Sequence, residues 1–198
     1  MRRKFGLLDF KGVREFNQSS LGLAGSLLIA HPNLLDPNFR RAVPLITAHD
    51  AVDGSFGLIL NRPTGKVVSE LVSEPGLGPL GNLPVFFGGP VGRDRLMFAS
   101  FQWRTESQSI ECLANLDLDE ARRLALEEEG VVRGFVGYSG WSGGQLEGEL
   151  EQKAWVVQKP DRDVLDPDSC SQIWFSIMQH YGPWFRLLAS APDDPSLN

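Results

Sequence analysis

Residues 137–155 read G-Y-S-G-W-S-G-G-Q-L-E-G-E-L-E-Q-K-A-W, and the fold turns on how this stretch is parsed. Val131, Val132, Phe135, Val136 and Tyr138 lead into it, a β-branched and aromatic composition that suits a strand. Glycines follow at 137, 140, 143 and 144, and then residues 145–152 have helix-forming composition. The order is strand, glycine turn, short helix. Glycine permits positive φ and close backbone approach, and a helix start presents unpaired N–H groups. This parse therefore predicts a built feature at the turn.

Downstream, residues 154–158 read as a strand. A last helix is expected over 171–181, capped by Asp168 or Ser169 and ended by Gly182-Pro183. Upstream, residues 26–31 form a short apolar run closed by His31-Pro32, a buried strand. Asp36-Pro37 opens a single helical turn, since Asp caps and Pro suits the first helical position. Apolar runs at 42–48 and 55–60 flank the turn at 50–54 and predict a hairpin. Residues 67–72 predict a short helix and 74–84 a loop. Residues 84–87 and 96–101 predict strands on either side of the turn G-G-P-V-G-R-D-R, and a strand near 110–113 follows. The clearest helix runs over 118–129, with Asp117 as cap, Glu120 at the capping-box spacing and Gly130 at its end. Hairpins outnumber strand–helix–strand units, so the expected class is α+β rather than a doubly wound sheet.

The 198 residues suit one domain over 21–190, with an N-terminal arm over 1–20 and a frayed Pro/Asp-rich tail over 191–198. The composition, 42% hydrophobic and 22% charged, is that of a folded soluble chain. The net charge of −6 opposes broad contact with nucleic acid, which requires clustered Lys and Arg. The short basic groups Arg2-Arg3-Lys4, Arg40-Arg41 and Arg122-Arg123 read as solvated patches. Cys112 and Cys170 have apolar neighbours and no metal spacing, so they read as buried free thiols in a reducing cytosol. No run of signal-peptide or membrane-spanning length is present, which predicts a cytoplasmic protein without membrane contact.

Gly140-Trp141-Ser142-Gly143-Gly144 matches G-x-S-x-G, the elbow that exposes a hydrolase serine, and Asp166 and His180 complete a Ser…Asp…His set in the required order. Against this reading, His180 falls inside a predicted helix and the upstream strands read as hairpins. The three histidines are far apart, so no metal site is expected. His49 reads as a hydrogen-bonded strand-end residue, and Glu147, Glu149 and Glu151 read as a solvated helix face.

Four ordered motifs resemble the YqgE/AlgH family of small bacterial proteins. They are G-S-L-L-I-A-H-P-N-L-L-D-P-N-F-R-R-A-V from Gly25, H-D-A-V-D-G-S-F-G-L-I-L-N-R-P from His49, F-F-G-G-P-V-G-R-D-R from Phe86, and the opening G-Y-S-G-W-S-G-G-Q-L-E-G-E-L. The likeness runs from about Gly25 to Gly182. The family usually has Met where His31 stands and Gly-Pro where Ser142-Gly143 stand, so no shared chemistry depends on the Ser142 hydroxyl. The resemblance implies an α+β fold with a mixed, largely antiparallel, bifurcated sheet, a small barrel-like part and flanking helices. It brings no catalytic residue, cofactor or metal, and it carries the label of a transcriptional regulator without a DNA-binding domain.

Asn61, Arg62, Gly88, Gly89, Tyr138, Trp141 and Gln145 are the candidate ligand- or partner-binding residues. Trp141 and Tyr138 combine apolar area with a polar tip. Asn61 and Gln145 both donate and accept, and Arg62 suits a carboxylate or phosphate. The same residues equally suit turns and packing. The expectation is a non-catalytic regulatory or binding protein acting through an unknown small ligand or protein partner, with a serine hydrolase at Ser142 as the alternative.

Overall fold

The computed structural model describes residues 6–7, 22–74, 76–127 and 130–190. Its strands and helices run β1 (Gly6–Leu7), β2 (Leu27–Ala30), β3 (Pro44–Asp50), β4 (Gly54–Ile59), β5 (Pro63–Val67), α1 (Val68–Leu71), β6 (Pro84–Phe87), β7 (Val91–Arg104), β8 (Ser109–Leu116), α2 (Leu118–Ala125), β9 (Val131–Trp141), α3 (Gln145–Glu151), β10 (Trp155–Gln158), α4 (Ile173–His180) and α5 (Pro183–Ala189). Apart from Gly6–Leu7, the arm expected over residues 1–20 lies outside the described residues, as does the tail from 191.

Strand β9 organises the sheet. One edge pairs antiparallel with β7, from Val131 opposite Phe101 to Tyr138 opposite Val91. The other edge carries two strands in succession. β6 runs parallel to it at Gly134–Val136, and β4 then runs antiparallel to it at Ser139–Trp141. The sheet forks there. One branch continues β4–β3–β2–β10, and the other is the pair β5–β6; β8 and β1 flank β7. The result is a mixed, largely antiparallel sheet, curled into a half-barrel with helices around it.

The apolar run over 96–101 explains why β7 is buried on both sides. Met97, Ala99 and Phe101 face one core with Phe135, Leu45 and Trp174. Leu96 and Phe98 face a second core with Val68, Val85 and Ala121. Side chains alternate across a strand, so a continuous apolar run serves two cores at once.

Several expectations shift. The segment read as a glycine turn over 137–144 is strand through Trp141, because Ser55, Phe56 and Gly57 pair with it; the turn itself is only residues 142–144. Residues 91–95, read as part of a turn, begin β7. α2 is capped as expected, Asp117 accepting from the Glu120 amide at 2.8 Å, but it ends at Ala125; residues 128–129 lie outside the described residues. α4 follows a 3-10 turn (Cys170–Gln172) rather than a side-chain cap at Asp168 or Ser169, and Pro183 starts a further helix, α5. Cys170 is buried, Cys112 is half-buried, and both thiols are free.

Candidate functional site

The end of β9 is held by an aromatic clasp. Trp141 is buried; Phe39 stacks against it at 5.8 Å and Trp155 meets it edge-on at 6.1 Å. Both indole N–H groups donate to one oxygen of Glu149 on α3, at 2.9 Å from Trp141 and 2.7 Å from Trp155. The other Glu149 oxygen accepts from Gln145 at 3.0 Å. Glu149 therefore ties α3 to the sheet rather than lying on a solvated face. Aromatic pairs of this kind contribute about 0.5–1.5 kcal/mol each beyond area burial.

The same clasp gathers residues 36–41. Asp36 starts the expected single helical turn, its carbonyl accepting from the Arg40 amide at 2.7 Å. Asn61 accepts from the Val43 amide and donates to the Arg41 carbonyl, both at 2.8 Å. Arg62 donates to the Asn38 carbonyl at 2.6 Å and the Arg40 carbonyl at 2.7 Å. Burial pushes the Arg62 guanidinium below its ordinary value, opposed by nearby Asp36. Arg41 lies over Trp174 and Phe175, at 5.5 and 4.9 Å. The polar groups singled out at Asn61 and Arg62 thus hold backbone that would otherwise be unpaired.

Gly88 and Gly89 stand where β6 leaves β9. A Cβ on Gly88 would lie 2.3 Å from the Gly137 carbonyl, and one on Gly89 would lie 2.3 Å from the Tyr138 backbone. Ser139 donates to the Gly88 carbonyl at 3.0 Å, closing the fork. Tyr138 is half-buried and stacks on Phe56 at 4.8 Å. At the bend, a Cβ on Gly143 would lie 2.1 Å from the Val52 carbonyl, so only glycine lets the β3–β4 turn close on it. Gln145 is exposed and its side-chain carbonyl accepts from the Ser142 amide at 3.1 Å.

Among the described residues, no hydrogen bond or ion pair joins Ser142, Asp166 and His180. His180 Nδ1 is engaged by the Ser176 carbonyl one turn earlier, at 2.7 Å, and Asp166 accepts from the Asp168 amide at 3.0 Å. A different serine, not singled out in the sequence, meets an imidazole. Ser55 Oγ lies 2.8 Å from His49 Nδ1, and His49 Nε2 lies 3.5 Å from Glu147. Ser55 and His49 are covered, while Glu147 keeps 38% of its side chain exposed, so the contact joins β3, β4 and α3 from the interior to the surface. No group of three or more His, Cys, Asp or Glu among the described residues is placed to hold a metal ion.

At the opposite end of β9 an open cleft of about 280 Å³ lies between β7, β9 and the 162–166 turn. Phe101, Trp103, Val131 and Leu165 wall it, and Arg162, Asp163 and Asp166 stand at its rim. Behind this wall lies Arg133, fully buried. Its Nη2 donates to the Leu165 carbonyl at 2.6 Å, and its guanidinium lies 4.6 Å from the Phe86 ring and 5.9 Å from Phe101. Nε and Nη1 have no hydrogen-bond partner among the described residues. Burial pushes this guanidinium below its ordinary value, with Cys170 and Asp166 acting the other way. Sequence reading missed Arg133. The available signal was one charge inside the apolar run 131–136, where charged groups are rare unless paired.

The sequence model of the AlgH-like family, DUF179, matches residues 27–186. A UPF0301 protein of Streptomyces avermitilis is 39% identical over 89% of this chain and 95% of its own length. One from Thermobifida fusca is 32% identical over 93% of this chain and 100% of its own. The crystal structure of protein DIP2367 from Corynebacterium diphtheriae superposes with a TM-score of 0.64 at 22% identity, covering 89% of this chain and 95% of that one. The solution structure of AlgH from Pseudomonas aeruginosa gives 0.60 at 26% identity, covering 89% and 98%. Four motifs in order, an overall fold similar to both structures and a family match over most of the chain agree: this protein belongs to the AlgH-like (YqgE/AlgH, UPF0301) family.

Proposed function

We propose that this is a non-catalytic recognition protein of regulatory type, which takes a small ligand or a partner's side chain in the cleft at the start of β9. The observation that carries the reading is the cleft itself: four apolar walls with charged groups at the rim, the usual make-up of a binding site. Among the described residues no hydrogen bond or ion pair links Ser142, Asp166 and His180, which supports recognition over hydrolysis. Arg41, Arg122 and Arg123 are engaged with rings, Asp119 and Glu127, which supports action without direct DNA contact. Two free thiols support a reducing, cytosolic setting. Among the described residues no helix is long and apolar enough to cross a membrane.

A second surface for a partner lies at Tyr138 and Gln145, favoured by the exposure of Gln145 and of Val91 beside the Tyr138 ring. Amide shift mapping against a fragment library separates the two. The cleft reading expects the shifts at Phe101, Trp103 and Val131. Shifts concentrated at Tyr138 and Gln145 would favour the second surface, and none at either would contradict both. A fluorophosphonate probe is expected to leave the protein unlabelled; labelling lost in Ser142→Ala would restore the hydrolase.

A further inference from the structure

The cleft and the buried arginine behind it belong together. Val131 and Arg133 are two residues apart on β9 and share a face. Their partners on β7 are Phe101 and Ala99. Ala99, the cross-strand partner of Arg133, is small and fully buried. The two groups that separate Arg133 from the cleft also line it. Phe101 lies against the guanidinium, and the Leu165 carbonyl accepts its Nη2. Arg133 does not itself line the cleft, and reaching it requires a shift of the 162–165 turn, which the Leu165 carbonyl bond and the buried Val164 and Leu165 side chains hold in place. Arginine keeps its charge in proteins, and a buried cation of this kind is ordinarily matched by a carboxylate. Asp166 is the carboxylate felt electrostatically, yet it is exposed, accepts from the Asp168 amide and forms no ion pair with Arg133.

We propose that the cleft is a site for a small apolar monocarboxylate whose charged end is taken by Arg133. The inference rests on the reading of the cleft as the recognition site. It names the ligand class from three features. The missing acceptor on Nε and Nη1 calls for an anion. The walls of Phe101, Trp103, Val131 and Leu165 call for an aromatic or aliphatic body. The carboxylates of Asp163 and Asp166 at the rim, against Arg162 alone, disfavour a dianion such as phosphate. Arg133 is thus a binding residue, and the 162–165 turn is the roof that ligand entry displaces.

The test is calorimetry at constant ionic strength on the full chain, with benzoate, its neutral counterpart benzyl alcohol, and inorganic phosphate as probes. The wild type is expected to bind benzoate at least about tenfold more tightly than benzyl alcohol, the scale of one charge-assisted hydrogen bond, and phosphate more weakly than benzoate. Arg133→Met removes the preference while leaving benzyl alcohol binding within about twofold, and Arg162→Ala keeps most of it. Should Arg133→Met fail to fold, Arg133→Lys is expected to keep the charge preference with weaker binding, and the wild-type ratio decides without either variant. A ratio within twofold overturns the monocarboxylate and leaves the recognition reading standing. Phosphate outcompeting benzoate, or a preference lost in Arg162→Ala instead, also overturns it. Failure of all three probes to bind removes the cleft reading along with it.

Discussion

The two ends of β9 treat their polar groups in opposite ways. At Trp141 the indole N–H, its neighbour's indole N–H and the Gln145 amide all converge on Glu149, and nearby Asn61 and Arg62 complete the backbone of residues 36–43. At Arg133, eight residues back along the strand, Nε and Nη1 have no acceptor among the described residues in a fully buried side chain. A buried polar group without a partner costs about 1–3 kcal/mol, more when it is charged. A satisfied network is what a fold keeps for its own stability. An unsatisfied one is what a fold tolerates for some other reason, and such exceptions gather at functional sites. On the proposed reading, Trp141, Asn61 and Arg62 serve the architecture at one end of β9, and recognition belongs to the other.

Substitutions can break this contrast or sharpen it. The largest effect is expected for Trp141→Ala, which opens a cavity between Phe39 and Trp155 and strips one donor from Glu149. Denaturant unfolding should show a loss of about 3–5 kcal/mol. Asn61→Ala leaves the Val43 amide and Arg41 carbonyl unpaired, and the same measurement should show about 1–3 kcal/mol. Arg133→Met is expected to change stability by no more than about 1 kcal/mol or to raise it, because removing an unmatched buried cation offsets the lost bond to Leu165 and the two ring contacts. A loss of several kcal/mol there would make Arg133 another structural residue and erase the contrast. Ser142→Ala, at an exposed position whose hydroxyl makes no hydrogen bond among the described residues, should stay within about 0.5 kcal/mol in thermal melts.

Much of the fold was legible because its signals were local. The hairpin of β3 and β4 followed from two apolar runs around residues 50–54, and α2 followed from Asp117 with Glu120 at the capping-box spacing. The fork did not, since it depends on β6 and β4 sharing one edge of β9 at long range. That pairing also turned a glycine-rich stretch into strand as far as Trp141. Composition marked Gly137 and Gly140 as turn formers, but both lie in β9, and the sheet needs Gly137 for close approach, a Cβ there lying 2.4 Å from the Gly89 carbonyl. At the site, the sequence pointed to residues rich in donors and acceptors, and it could not show that Asn61, Arg62 and Trp141 would find their partners inside the chain. His49 was legible as a bonded strand-end residue, although its partners Ser55 and Glu147 come from two other elements. Arg133 was overlooked because a single basic residue in an apolar run has no motif; its meaning appears only when Phe86, Phe101 and Leu165 surround it.

The most direct test reads both ends of the strand at once. In a ¹H–¹⁵N spectrum of the full chain titrated with benzoate, the Arg133 Nε–H signal and the backbone amides of Phe101 and Val131 should move together and saturate, while the Trp141 indole signal, held by Glu149, stays in place. Movement of the Trp141 indole with Arg133 unchanged would put recognition at the bend and contradict the account.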